Sequence, residues 1–237
     1  MIRAESALVV GASRGLGLGL AAELQRRGWN VVATAREETG MRRLGALAAE
    51  PGGSLPGALI VECVDINDDA AVTALRRRLD ERIFDLVFVS AGIAPAHGHD
   101  AVLAGRDEIA LLFQTNAVSP IRLARRFLDR VRDGSGVVAL MSSGLGSVAD
   151  NTHGYSELYS ASKAALNSLT RSLAAKLGGR RITVLAMAPG WVRTDLGGPA
   201  APLSVEESAR GLLDVIAARR GTLRHGFVDY RGRELAW

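Results

Sequence analysis

The chain has 237 residues, 48% hydrophobic and 23% charged, with a net charge of +4; its arginines are scattered among acids, which argues against a nucleic-acid partner. Cys63 is the only cysteine, so neither an internal disulfide nor a thiolate metal cage is available. No apolar run is long enough to span a membrane and the first residues lack the pattern of a leader, so no membrane partner and a cytoplasmic location are expected.

In chain order, residues 6–10 are an apolar run ending at Gly11, and residues 16–27 repeat apolar positions at helical spacing: strand, glycine turn, helix. Residues 30–35 read as a second strand, 40–50 as a helix, and 51–57, rich in proline and glycine, as a connecting loop. A third strand covers 58–64. Residues 68–82 open with acids and close with arginines, as suits a helix dipole. A fourth strand at 84–90 precedes a long helix at 107–132, then come a fifth strand at 136–141, a helix at 158–177 and a sixth strand at 182–187. Ser204 begins a Ser-x-x-Glu capping box for a helix through Ala218, and 227–230 supplies a last strand. Helices alternating with nearly continuous apolar strands predict the α/β class. The expected architecture is a single doubly wound Rossmann-type domain over residues 1–237, with a mostly parallel, seven-stranded sheet flanked by helices.

Between the first strand and its helix lies Gly11-Ala12-Ser13-Arg14-Gly15-Leu16-Gly17. Glycines let the backbone approach a pyrophosphate, and the amides opening the helix face its charge. A shifted match, Gly17-x-Gly19-x-x-Ala22, falls inside the helix and reads as packing. Where a dinucleotide fold for NADH has a ribose-binding carboxylate, the second strand ends at Arg36, and Arg14 stands in the loop itself. Two arginines favour NADP(H); Glu37 and Glu38 follow at once and leave NAD(H) open.

Tyr159 and Lys163, four apart at a helix start, share one face, so the ammonium can stand beside the phenol and lower its pKa from about 10. Such a phenol passes a proton to or from a substrate oxygen. An ordinary helix start with an exposed pair has the same spacing. Composition weighs against that: of 29 Lys+Arg residues only Lys163 and Lys176 are lysines, and a tunable ammonium suits this task where a guanidinium does not. Ser143, off the end of the fifth strand, can bond the same oxygen.

With these residues in hand the chain resembles the short-chain dehydrogenase/reductase family over nearly its whole length. Residues 142–147, 150–152, 162–167 and the tail 227–237 are similar to a carbonyl-reductase-like branch that includes the C-factor signalling protein. The resemblance implies NADP(H)-dependent oxidoreduction of a small carbonyl or alcohol by Ser143, Tyr159, Lys163 and Asn116. It places the cofactor on Gly11, Ser13, Arg14, Gly15, Leu16, Gly17 and Arg36, its adenine on Asp65 and Ile66, and its nicotinamide end on Ala91, Gly92, Tyr159, Lys163, Pro189, Gly190, Val192 and Thr194. Ser90 replaces the family's asparagine before Ala91-Gly92, and Val10 stands where many members have threonine. Pairing through the helices at 107–132 and 158–177, as a homodimer or homotetramer, is implied as well.

Pro120 has no N–H to offer the Asn116 carbonyl, so the helix should kink there and leave that carbonyl for a water linking Lys163 to solvent; alternatively Pro120 begins a second helix. His97, His99 and Asp100 lack further ligands at set spacing, so no metal is expected. His153, Tyr155, Trp191 and residues 196–203 are either pocket walls, the last a candidate lid, or plain packing. Phe227 and Trp237 are expected to pack the sheet edge or a subunit contact. A different class of function, an NADPH-binding sensor or signalling protein with incidental turnover, has against it the complete set of reactive side chains.

Overall fold

The structure is a computed structural model that describes residues 4–49, 57–94, 100–221 and 225–237. Seven apolar segments form strands: β1 (Ser6–Val10), β2 (Asn30–Ala35), β3 (Leu59–Cys63), β4 (Leu86–Val89), β5 (Val137–Met141), β6 (Thr183–Ala188) and β7 (His225–Asp229). They pair in the order β3-β2-β1-β4-β5-β6-β7, every neighbour parallel. Between them lie α1 (Gly15–Arg26), α2 (Glu38–Ala48), α3 (Asp69–Arg78), α4 (Arg106–Phe113), α5 (Ser119–Arg126), α6 (Glu157–Ala175) and α7 (Val205–Arg219). The strand order reverses between β1 and β4, which opens a crevice at their carboxyl ends, the usual place for a ligand in such sheets.

Both sheet faces are covered, so alternate residues of each strand enter different cores. Leu8, Val10, Val87, Val89, Val138 and Leu140 pack with Leu75, Ile121, Leu123 and Leu166 on one side. Ala7, Val9, Phe88, Ala139 and Leu185 pack with Leu20, Leu24, Leu44, Leu212 and Ile216 on the other. As expected, Ser204 and Glu207 form a capping box: the Glu207 amide donates to Ser204 Oγ at 3.1 Å and the Ser204 amide to Glu207 Oε2 at 2.8 Å. The glycines inside α1 are packing glycines, because a Cβ on Gly17 would overlap the Gly11 carbonyl and one on Gly19 would overlap Val205.

The helix anticipated over 107–132 is corrected in two ways. Its ladder widens into a π-turn at Gln114–Val118, where the Ser119 amide reaches back to the Gln114 carbonyl; α5 then begins with Pro120 in its first turn. It also ends at Arg126. After a 3-10 turn, Val131 is extended and bridges Phe84, with the Arg132 amide donating to the Phe84 carbonyl at 2.8 Å. The predicted loop at 51–57 falls, apart from Gly57, outside the described residues, as do His97 and His99.

At the amino ends of β1 and β4 sits a fully buried carboxylate, Asp85. It accepts from the Ser6 amide at 2.9 Å, Arg132 Nε at 2.7 Å and Arg220 Nη2 at 3.2 Å. Arg220 also pairs with Glu5 and donates to the Ser135 carbonyl at 2.7 Å, tying the end of α7 to this edge.

Candidate active site

At the carboxyl end of β1 the chain turns through Gly11, at φ +81°, and Gly15, at φ +52°, conformations that favour glycine. A Cβ on Gly11 would come within 2.6 Å of Ala91 backbone, so this loop and the one after β4 lie against each other. The Gly11 amide donates to Thr34 Oγ1 at 3.3 Å and the Ala12 amide to the Thr34 carbonyl at 2.7 Å, fastening the loop to β2. Arg14 is the N-cap of α1 without a side-chain cap, and the first turn contains no acid. Those amides therefore remain suited to an anion, and this end of the fold fits a dinucleotide's phosphates.

Both arginines singled out for a 2′-phosphate stand at the rim, and each is engaged by a carboxylate of its own chain. Arg14 pairs with Asp195 at 2.5 Å and Arg36 with Glu37 at 2.6 Å, all four side chains well exposed. The Glu37 hydrogen bond holds the Arg36 guanidinium above its ordinary pKa. Asp65 Oδ1 accepts from the Asn67 amide at 2.8 Å, and Ile66 is buried beside it. Across the crevice, Gly15 lies against Thr194: a Cβ on Gly15 would be 3.3 Å from Thr194 Cγ2. Gly190 adopts φ +82°, Val192 is buried and bridges Leu203, and the Pro189 carbonyl accepts from Ser208 Oγ at 2.7 Å.

Lys163, the Tyr159 ring and Asn116 come together beside Gly92, in the loop after β4. Lys163 is only 3% exposed; its Nζ donates to the Met141 carbonyl at 2.9 Å and lies 5.6 Å from the Tyr159 ring centroid. A Cβ on Gly92 would meet Asn116 Oδ1 at 3.3 Å and Lys163 Nζ at 3.4 Å, so Gly92 lets these two side chains share one pocket. The Asn116 carboxamide is fully occupied: Oδ1 accepts from the Ile93 amide at 2.8 Å, and Nδ2 donates to the Ile93 carbonyl at 2.9 Å and to Ser162 Oγ at 3.0 Å. Ser143 caps the short turn Gly144–Gly146, its Oγ accepting from the Leu145 amide at 3.1 Å, which leaves its proton available to donate.

The electrostatics depart from the expectation in one respect. Burial, not the neighbouring cation, dominates the phenol: Tyr159 is pushed up to about 12. Burial likewise pushes Lys163 down to about 8. Four-residue spacing places the ammonium beside the ring, but both groups have also left water, and desolvation disfavours the charged form of each.

Two buried residues from the segment 162–167, given no role by the sequence beyond the resemblance, hold this arrangement. Ser162 links the Asn116 carboxamide to the Tyr159 carbonyl, to which its own Oγ donates at 2.7 Å. Asn167 accepts from Ser142 Oγ at 2.6 Å and donates to the Gly146 carbonyl at 3.0 Å, binding the Ser143 turn to α6. Their signal is a polar residue on the buried face of α6, one before and four after Lys163.

A family model described as Enoyl-(Acyl carrier protein) reductase matches residues 11–214. The chain belongs to the short-chain dehydrogenase/reductase family. This short-chain dehydrogenase/reductase is 39% identical to the C-signal of Myxococcus xanthus over 131 residues, 55% of this chain and 79% of that protein. It is 31% identical to the 3-oxoacyl-[acyl-carrier-protein] reductase FabG of Pseudomonas aeruginosa, over 82% of this chain and 76% of that one. A carbonyl reductase from Pseudomonas aeruginosa PAO1, solved in complex with NADP, superposes with a TM-score of 0.89 at 43% identity, covering 99% of this chain and all of the other.

In the segments that follow β5 and β6, Leu145, Val148, Tyr155, Trp191 and Leu196 are exposed. His153 contacts the Tyr155 ring, centroids 5.8 Å apart, and Trp191 Nε1 donates to the Gly197 carbonyl at 2.7 Å. Phe227 and Trp237 pack at the β7 edge, where Trp237 stacks on His225 at 4.8 Å and its carbonyl accepts from the Ala149 amide at 3.1 Å. No helix among the described residues is long and apolar enough to cross a membrane, and none of their His, Cys, Asp and Glu side chains cluster as metal ligands.

Proposed function

We propose that the chain, as one catalytic unit over residues 1–237, is an NADPH-dependent reductase of small aldehydes and ketones that also runs the reverse alcohol oxidation. The observation that carries this reading is the pocket where a buried Lys163 ammonium, the Tyr159 ring and the Asn116 carboxamide meet around Gly92. A chain that only binds a nucleotide has no use for a buried cation beside a phenol. NADPH, when bound, supplies the hydride. It would lie on the glycine loop from Gly11 to Gly17, with Arg14 and Arg36 at its 2′-phosphate, Asp65 and Ile66 at its adenine, and Ala91, Gly92, Pro189, Gly190, Val192 and Thr194 at its nicotinamide end.

The remaining chemistry belongs to the side chains. Tyr159, kept protonated by burial, is the general acid that donates its proton to the carbonyl oxygen. Ser143 donates a second hydrogen bond to that oxygen as charge develops on it. Lys163, held by Met141, steadies the phenolate that remains and holds ribose hydroxyls. Because the Asn116 side chain is committed to Ile93 and Ser162, its main-chain carbonyl is the group assigned to a relay water that restores the proton through Lys163. The homodimer or homotetramer is assigned to the faces of α4, α5 and α6, where Leu111 is half exposed.

The test is NADPH oxidation by purified protein against a panel of aldehydes, ketones and quinones. Tyr159→Phe is expected to cut turnover by about 10³-fold or more, with the NADPH Kd changed less than twofold. Tight cofactor binding without turnover of any panel member would instead favour a sensing protein, and substantial residual kcat in the phenylalanine variant would remove Tyr159 as the acid.

A further inference from the structure

The π-turn that presents Asn116 is gripped from outside its own helix. Asn67, in the loop after β3, spans it: Nδ2 donates to Thr115 Oγ1 at 2.9 Å, and Oδ1 accepts from Ser119 Oγ at 2.8 Å. Gln114 Nε2 donates to the same Ser119 oxygen at 2.8 Å, closing the clamp from within the turn. Ser119 is completely buried and Thr115 nearly so, which makes these bonds costly to lose. Asn67 is itself fixed, since its amide donates to Asp65 Oδ1.

We propose that Asn67 is a positioning residue for Asn116, bracing the π-turn at residues 115 and 119 so that the intervening carboxamide points at Ile93 and Ser162. This rests on the reading of Asn116 given above. A π-turn holds one residue more than the α-helical ladder and is the less stable form. Restoring the ladder removes that residue and turns the following ones by about 100° about the helix axis. The sequence provides two devices against this. Pro120 cannot donate the amide that an α-ladder would return to Asn116, and the Asn67 carboxamide fastens the two hydroxyls flanking Asn116 to a loop of a different strand. The same loop carries Asp65, so the adenine end of the crevice and the relay residue are joined by two successive hydrogen-bonded links.

The experiment compares Asn67→Leu and the milder Ser119→Ala, each alone, with Asn116→Ala and with the Asn67→Leu/Asn116→Ala pair. Amide exchange at Ile93, whose N–H is held by Asn116, should quicken about tenfold in both clamp variants, while amides in the middle of α6 keep their protection. Turnover of an aldehyde from the panel should fall about tenfold, the NADPH Kd should stay within twofold, and the paired variant should be no slower than Asn116→Ala alone. Unchanged Ile93 exchange in both clamp variants, or effects that multiply in the pair, would overturn the proposal. Full turnover by Asn116→Ala would show instead that the relay carbonyl does not need the carboxamide to hold it, and Ile93 exchange would then decide the clamp by itself.

Discussion

Where β1 and β4 begin, the buried Asp85 carboxylate receives two arginines and a backbone amide; where β5 ends, in the crevice, the equally buried Lys163 ammonium is held by a carbonyl. Rim charges of the crevice, Arg14 with Asp195 and Arg36 with Glu37, are paired in solvent, where such bonds exchange readily. One end of the sheet thus closes its charge locally and for good. The other keeps a charge whose compensation is incomplete and partners that an anionic ligand can displace, the condition that proton transfer and phosphate binding require.

The largest expected way to break this contrast is Asp85→Ala. It strands Arg132, while Arg220 keeps Glu5 and the Ser135 carbonyl, and should cost about 3 kcal/mol, the low end for a buried pair because both arginines retain some solvent. The thermal midpoint should fall by roughly 6–12 °C, with kcat at low temperature unchanged.

Lys163→Met should do the opposite, abolishing turnover while raising the midpoint by a few degrees at pH 7. In the native state the ammonium loses its proton near pH 8, against 10.5 for the free side chain. At pH 7 both states are charged and only the folded one bears the cost of burial, and that cost disappears as pH climbs from 8 to 10.5. The stability gap between variant and wild type should therefore close over that window; a constant gap would show that Lys163 is not strained in the fold. The same titration predicts that reductive kcat declines as pH rises through about 8, with Tyr159 still protonated.

At the rim the effects are smaller. Arg36→Glu should raise the KM for NADPH about tenfold and leave that for NADH nearly unchanged, and equal effects on both would dispose of the 2′-phosphate assignment. Asp195→Ala, which releases Arg14, should lower the KM for NADPH by about two- to threefold, measured by initial rates at low salt; in an Arg14→Ala background the gain should vanish.

Sequence carries the frame of this fold well because both sheet faces are covered: strands such as β4 and β5 read as unbroken apolar runs, and the helices between them are periodic. Tyr159 and Lys163 were legible for a local reason, since four-residue spacing on a helix dictates neighbourhood. What spacing does not contain is solvent exposure, which sets the direction in which the phenol shifts. Pro120 marked where the helical ladder fails, yet the π-turn depends on Asn67, 48 residues away in sequence. The pairing of Arg14 spans 181 residues. Such contacts are set by topology, after the strands have found their order.

The scarcity of lysine has a practical side. Of the two, Lys163 is enclosed, whereas Lys176 caps the far end of α6 in the open, about 25 Å along the helix from Tyr159. Amine-directed chemistry therefore has a single side-chain foothold, and a support coupled there would hold every molecule by the same point, with the crevice facing away from the surface.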